Sequence, residues 1–524
     1  MAVNVNSPLH LPKLHDVNQT PQSTPSRGST PAAELRKESA VETVSHSTTS
    51  LAFASFQNVI DGELSSTERA RHTVNPSTLE ANPDVPVCTQ HDVDRAIAAA
   101  QGAAEAWAKV PWAERRKAVE AFADALDAHA AEFGHILVRE MGLPLPAALF
   151  EVHWGVEWLR DFCKLSLPDK VMDAACGRHV IERYVPIGVT VGIIPWNGPV
   201  ILACGKIAPA ILTGNALILK PSPFAPYSIL KMAELGLQFF PRGVLQALSG
   251  GDELGPWLTT HPDIGKVSFT GSCATGKRVM ESCSAHLTRV SFELGGNDPA
   301  IICEDVDPAS VAQKIGMFAL LRSGQLCMAV KRVYVHESVY DTVLAELVKH
   351  FEGVKVGDGF EEDTVVGPLS NQPQYERVKE LLANIEETKL DVRPRDGQSI
   401  KGLKGFFIQP IVVANPPDDA RVVVEEPFGP ILPVMKWSDE TDVIQRANNT
   451  SYGLGASVWS RDLAQADRIG NRLQAGNIWI NTHAELQAST AFACHKQSGF
   501  GSELGVDGLK GWCNVQAVYT RAFS

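Results

Sequence analysis

The sequence predicts an α/β fold built around parallel sheet. Three observations carry this. From Tyr184 onward, short β-branched runs alternate with helical segments, the pattern of βαβ units. Ahead of them, His91 to Met141 reads as amphipathic helix. A second alternating region runs from Pro299 to about Asn481. At 524 residues the chain has room for roughly two to four domains.

Residues 1–50 are rich in Ser, Thr, Pro, Asn and Gln and poor in aromatics, so they are expected to form a disordered extension. They lack the charged and apolar blocks of a secretory signal. Asp16, Glu34, Glu38 and Glu42 against two arginines, Arg27 and Arg36, make a poor transit peptide. The folded part begins near Leu51 with helices over His91–Val110 and Trp112–Met141. Thr89 stands at an N-cap position, and Gly142 then Pro144 form a stop signal. Val119, Phe122, Leu126, Phe133 and Leu137 form one helical stripe. Expected strands are Val189–Ile194, Ala216–Leu219, Val244–Leu248 and Lys266–Phe269. Val333–His336, the helix Tyr340–Glu352 and Asn477–Asn481 follow in the second region.

The longest apolar stretch, Ile201 to Leu219, is broken by Lys206, Pro209 and the turn Thr213-Gly214-Asn215. It reads as buried helix, turn and buried strand, because a membrane span needs ~20 nearly uninterrupted apolar residues. The net charge of −13 argues against a nucleic-acid or anionic-membrane partner. Ten scattered cysteines without a C-x-x-C spacing argue against a metal centre or disulfide framework and suggest a reducing compartment, hence a cytoplasmic protein.

Four local patterns carry chemistry. In Phe269-Thr270-Gly271-Ser272-Cys273-Ala274-Thr275-Gly276-Lys277 a strand runs into a helix through a Gly-containing turn, where backbone N–H groups face an anion. In Ser323-Gly324-Gln325-Leu326-Cys327 a cysteine follows a Gly-Gln pair and is a candidate nucleophile; a buried helix cysteine is the alternative. In Phe292-Glu293-Leu294-Gly295-Gly296-Asn297 a lone carboxylate lies in an apolar run and is a candidate base, or a partner of Arg289 or Lys277. In Pro195-Trp196-Asn197-Gly198-Pro199 a constrained amide could donate to a developing oxyanion, or simply make a turn.

Together with Leu219-Lys220-Pro221-Ser222, Glu425-Glu426-Pro427-Phe428-Gly429-Pro430 and Lys496-Gln497-Ser498-Gly499-Phe500-Gly501, these motifs give the chain its resemblance to the aldehyde dehydrogenase superfamily, from about Phe56 to the C-terminus. The sequence separation of 34 from Glu293 to Cys327 matches it too. The resemblance implies oxidation of an aldehyde to a carboxylic acid with NAD(P), without acylation of CoA. Cys327 is the implied nucleophile, Asn197 the oxyanion donor, and Glu293 the base that activates water. Trp196, Lys220, Ser222, Gly271, Ser272, Gly276, Glu426 and Phe428 are the implied cofactor residues. A CoA-acylating or catalytically impaired member is the alternative, disfavoured because Glu293, Cys327 and Asn197 are all present.

The resemblance also implies a Rossmann-like cofactor domain from 51–165 and 187–295, an α/β catalytic domain over 296–496, and a small β oligomerisation region from 166–186 and 497–524. A homodimer or homotetramer is the implied assembly. Two departures stand out. Pro223 occupies the position where many NAD-preferring members carry an acid, so NADP stays open beside NAD. Ala491-Phe492-Ala493-Cys494 replaces the usual Pro-Phe-Gly-Gly, and slower or narrower activity is expected. Gly198, Gly205, Leu321, Leu326, Met328, Leu486 and Phe492 are the implied substrate-tunnel lining. Gly205 stands in place of a bulky aromatic and predicts a roomy apolar tunnel for a medium-sized hydrophobic aldehyde.

Overall fold

The computed structural model describes residues 51–173, 178–394, 400 and 402–521; the extension 1–50 and Cys176 lie outside the described residues. The first long helix, Gln90–Trp107, starts at a capping box: Asp92 N–H donates to Thr89 Oγ1 at 3.3 Å, and Thr89 N–H donates to the Asp92 carboxylate at 2.9 Å. The single helix expected over Trp112–Met141 is two, Trp112–Ala128 and Ala130–Met141. They break at His129, whose ψ of 19° leaves the helical range. The bend lets Val119, Phe122 and Leu126 from one helix and Phe133 and Leu137 from the other enter the same core. Gly142 ends the second helix with φ of +77°, a left-handed cap that glycine adopts without steric cost.

The apolar stretch after Gly198 forms the buried helix Pro199–Leu212, a turn through Gly214, and the buried strand Ala216–Lys220. Among the described residues, no helix is long and apolar enough to cross a membrane.

Five parallel strands form the centre of an eight-stranded sheet, in the order Leu245–Ala247, Ala216–Lys220, Val189–Ile193, Lys266–Thr270, Arg289–Glu293. Side chains on its two faces enter two different cores. Leu217 and Leu219 join Phe122, Val156 and Ile207, while Ile218, Val191 and Val267 join Val93, Ile97 and Leu258. Burial on both faces explains why these strands read as continuous apolar runs. The chain's first parallel strand, Val189–Ile193, lies in the middle, and the strand order reverses between it and Lys266–Thr270. That is a topological switch point, where a crevice opens beyond the carboxyl ends of the strands.

The second sheet has seven strands, in the order Asp391–Arg393, Ile411–Ala414, Ile431–Trp437, Val330–His336, Asp298–Ile302, Gly455–Trp459, Asn477–Ile480. All its pairings are parallel except the first. Leu294-Gly295-Gly296-Asn297 links the last parallel strand of the first sheet to the middle of the second. The C-terminal stretch expected in one region divides. Gly499–Phe500 pairs with Arg289–Glu293, whereas Cys513–Arg521 joins Arg178–Pro186 and Lys170–Asp173 in a separate antiparallel sheet.

Candidate active site

Cys327 lies in a loop, not in a helix. The preceding short 3₁₀ segment, Leu321–Gly324, holds Arg322 (φ +53°) and Ser323 (φ +59°) in the left-handed region, followed by Gly324 at +78°. Non-glycine residues cost roughly 1–2 kcal/mol each in this region, so tertiary contacts must hold them there. Ser323 Oγ donates to Gly367 O at 2.9 Å, and Gln325 Oε1 accepts from Ser370 N–H at 2.9 Å. A side chain at Gly324 would run into the Gly429 carbonyl.

Glu293 ends its strand and is 3% exposed. It pairs with neither Arg289 nor Lys277; Arg289 donates instead to Cys513 O at 2.9 Å. Neither Glu293 oxygen makes a well-formed hydrogen bond. Burial pushes its carboxyl up to about 7; the facing Cys327 thiol pulls it down and the Glu503 carboxylate pushes it further up. Burial, and then the Glu293 charge, hold the Cys327 thiol well above its ordinary value, with Lys331 opposing. A protonated thiol therefore faces a carboxyl poised near neutrality.

Asn197 follows the strand Val189–Ile193 and is buried. One N–H of its amide donates to Gln325 O at 3.0 Å, which leaves the other available. Behind Glu293, the fully buried Lys206 ammonium donates to Ser268 Oγ at 2.9 Å and pairs with Glu503 at 3.0 Å.

Asn197, Glu293, Cys327, Leu326, Met328 and Phe492 share one largely apolar cavity with about 50 Å³ of free volume. Gly198 and Leu486 line it as expected, but Gly205 and Leu321 do not. The space beside Gly205 is filled by Trp158: a methyl group on Gly205 would lie 3.1 Å from the indole Cζ3. The roomy tunnel expected from this glycine is therefore corrected, because an aromatic from a different helix, Leu145–Phe162, takes the room. Leu321 packs on the core instead. Trp154, Trp158, Arg322 and Glu503 also line the cavity. Trp158 carried no motif signal, since it sits in an ordinary amphipathic helix.

Several of the expected cofactor residues follow the carboxyl ends of neighbouring parallel strands. Pro195-Trp196-Asn197 leaves one strand and Gly271-Ser272 leaves its neighbour. Ser272 caps the helix Cys273–Ser284, its Oγ accepting Thr275 N–H at 3.3 Å. Gly276 serves packing: a methyl group there would lie 2.8 Å from Leu294 Cδ2, so the glycine lets helix and sheet approach. Lys220 ends its strand, donates among the described residues to Pro221 O at 3.2 Å, and is pulled down to about 8 by burial, with Asp252 opposing. Ser222 accepts Phe224 N–H at 3.2 Å, a turn bond.

Glu426 accepts from Gly296 N–H at 3.1 Å and pairs with buried Lys331 at 3.1 Å. Lys331 also donates to the Cys327 carbonyl and lies over the Phe428 ring. Phe428 meets Trp196 edge-on, with centroids 5.5 Å apart. Gly295 and Gly296 are required here, since side chains on them would strike the Glu426 carboxylate and the Cys327 carbonyl. Glu426 is thus held by an ion pair to Lys331, which is not legible in the sequence because a lysine inside a strand gives no ligand pattern. A capped helix N-terminus, a buried ammonium with one weak acceptor, and a carboxylate with an unpaired oxygen beside an aromatic pair suit a dinucleotide: phosphates, ribose hydroxyls and a planar ring.

Of the nine cysteines described, all are free. Cys88, Cys163, Cys204, Cys283, Cys303 and Cys513 are buried, Cys273 is half-buried and donates to Gln497 O, and the half-buried Cys494 thiol is held well above its ordinary value by burial and then by the Glu293 and Glu503 charges.

The model of the Aldehyde dehydrogenase family matches residues 64–518. Aldehyde dehydrogenase LUC3 of a Fusarium species is 36% identical over 467 residues, covering 89% of this chain and 99% of the relative. Phenylacetaldehyde dehydrogenase of Pseudomonas fluorescens is 34% identical over 470 residues, covering 86% and 92%. The NAD⁺ complex of an aldehyde dehydrogenase from Bacillus cereus superposes with a TM-score of 0.86 at 33% identity, covering 89% of this chain and 96% of that one. The chain belongs to the aldehyde dehydrogenase family and is an NAD(P)-dependent aldehyde dehydrogenase.

Proposed function

We propose that this enzyme oxidises a hydrophobic aldehyde to its carboxylic acid through a covalent Cys327 intermediate, with the medium size expected from the sequence left to the aldehyde screen. The observation that carries the reading is the buried Glu293 carboxylate facing the Cys327 thiol. Glu293 accepts the thiol proton as Cys327 Sγ bonds to the aldehyde carbon, giving a thiohemiacetal. The free amide N–H of Asn197 and the Cys327 backbone N–H hold the oxyanion; removing one such donor costs ~2.7–4 kcal/mol of barrier. A dinucleotide held by the residues named below would supply the acceptor for the hydride that leaves this carbon. Glu293 releases the thiol proton to solvent and, as the carboxylate again, deprotonates a water that adds to the resulting thioester; the adduct collapses, and the Cys327 thiolate departs with the carboxylic acid released. Glu503 and Lys206, paired with each other at 3.0 Å, act on the Glu293 carboxyl in opposite senses.

Lys220 is assigned to the adenosine ribose, Gly271 and Ser272 to the pyrophosphate turn, Glu426 to the nicotinamide ribose, and Trp196 and Phe428 to the walls beside the ring. Ser222 and Gly276 shape these turns through the local bond and close packing given above. The apolar lining favours a hydrophobic aldehyde, and the similarity to a phenylacetaldehyde dehydrogenase agrees with an aryl-alkyl one. The retained Glu293 favours hydrolysis over acyl transfer to CoA. The exposed Val171, Met172, Val515 and Tyr519 of the three-stranded sheet support assembly into a homodimer or homotetramer.

The test is a spectrophotometric screen of NAD and NADP reduction against aliphatic, aromatic and polyunsaturated aldehydes, with Cys327→Ala as control. Turnover with hydrophobic aldehydes, lost in the variant, is expected. Retained turnover in Cys327→Ala refutes the nucleophile.

A further inference from the structure

We propose that Glu151 and Arg322 are positioning residues for the reaction, a buried ion pair that fixes Asn197 relative to Cys327. The inference rests on the reading of Asn197 as an oxyanion donor.

Asn197 sits in the loop between the strand Val189–Ile193 and the helix Pro199–Leu212, and a loop residue needs outside support to hold a donor to a fraction of an ångström. Its main-chain carbonyl accepts Arg322 Nη1 at 2.8 Å, and its side-chain amide donates to Gln325 O at 3.0 Å. Both partners belong to the short stretch that ends at Cys327. Donor and nucleophile are therefore referenced to the same loop.

Arg322 is held in turn. Its guanidinium pairs with Glu151 Oε2, and the side chains are 11% and 0% exposed. Glu151 Oε1 accepts Val200 N–H at 2.9 Å and Ile201 N–H at 3.4 Å, the opening turn of the helix that follows Asn197. The chain of bonds thus closes on itself, from Asn197 O through Arg322 and Glu151 back to Val200. Arg322 makes this reach from a left-handed backbone (φ +53°, ψ 37°), and Gln325 Nε2 donates to Arg322 O at 3.1 Å. Arg322 also lines the aldehyde cavity, but with Glu151 and Asn197 O as partners its charge is neutralised and offers no free anion site.

A double-mutant cycle separates positioning from bulk stability. Arg322→Lys and Glu151→Gln are each expected to lower kcat on the order of 10- to 100-fold, with KM for NAD unchanged. In an Asn197→Ala background the same substitutions are expected to change kcat by less than about twofold. Alkylation of Cys327 by iodoacetamide, which needs no oxyanion donor, keeps its rate in both single variants. Glu151→Gln retains an acceptor for both backbone N–H groups and carries the cycle alone if Arg322→Lys does not fold. Losses that multiply with that of Asn197→Ala overturn the inference and leave the oxyanion reading intact. Full kcat in Asn197→Ala by itself overturns the oxyanion reading, and this inference with it.

Discussion

The indole of Trp158 lies across Gly205, with Cε3 and Cζ3 3.2 and 3.1 Å from where a Gly205 side chain would begin. One helix gives up a side chain and another fills the space. Trp158→Ala is therefore expected to enlarge the cavity on this side. The kcat/KM ratio for a bicyclic aromatic aldehyde over hexanal should rise about 10-fold or more, since each methylene-sized change in an apolar pocket is worth ~1–3 kcal/mol. An unchanged ratio means that the substrate does not reach Trp158.

Burial pushes the Glu293 carboxyl up to about 7, against the opposing pull of the Cys327 thiol. A base must be deprotonated to act, so kcat should fall tenfold per unit as pH drops below about 7. Replacing the neighbouring Glu503 with Gln removes a charge that raises Glu293, and the acid limb should move to lower pH. Stopped-flow and steady-state profiles from pH 5.5 to 9 read both effects; the absence of an acid limb contradicts the assignment.

Lys331 joins Glu426 to the Cys327 carbonyl. Lys331→Met should weaken NAD binding on the order of 10-fold by isothermal titration, because Glu426 loses its fixed partner. It should also raise the pH at which Cys327 becomes alkylated, since the Lys331 charge lowers the thiol's pKa. Unaltered NAD affinity would detach Lys331 from cofactor binding.

Glu140 is fully buried at the start of the helix Tyr227–Gly236 and accepts Tyr227 N–H at 2.9 Å, yet burial raises its carboxyl to about 8. The folded chain then binds a proton that the unfolded chain releases near 4.5. Stability contributed by this group is present below that value and is lost as pH rises toward about 8. Glu140→Gln should flatten the decline in thermal midpoint across that window, as measured by calorimetry in parallel with the parent chain.

Ala493 and Cys494 stand where two glycines are usual, and Cys494 is close enough to Glu293 for that charge to raise its thiol. Converting both to Gly should raise kcat/KM about 3- to 10-fold for the bulkier aldehydes by widening the space beside the base. Equal kcat/KM across an aldehyde series would show that the replacement is neutral.

Much of the fold is legible in the residues. The capping box of Thr89 and Asp92, the left-handed stop at Gly142 and the β-branched runs are local signals, and local signals fix local structure. The break at His129 was not legible, because both halves carry one continuous stripe and only packing decides where the axis bends. The motif residues Cys327, Glu293, Asn197, Glu426 and Phe428 could be picked out one by one. Their partners Lys331, Arg322, Glu151 and Glu503 could not, since a buried charge has no sequence mark apart from the neighbour that neutralises it.

By itself the sequence determined the α/β class, the strand-to-helix turns and the family motifs, all of which depend on residues close together in the chain. Tertiary structure alone decided the rest. It set Trp158 over Gly205, tied Glu426 to Lys331, and closed the circuit from Asn197 through Arg322 to Glu151. Each joins residues distant in the chain, and only close packing around the buried charges can specify such a pairing.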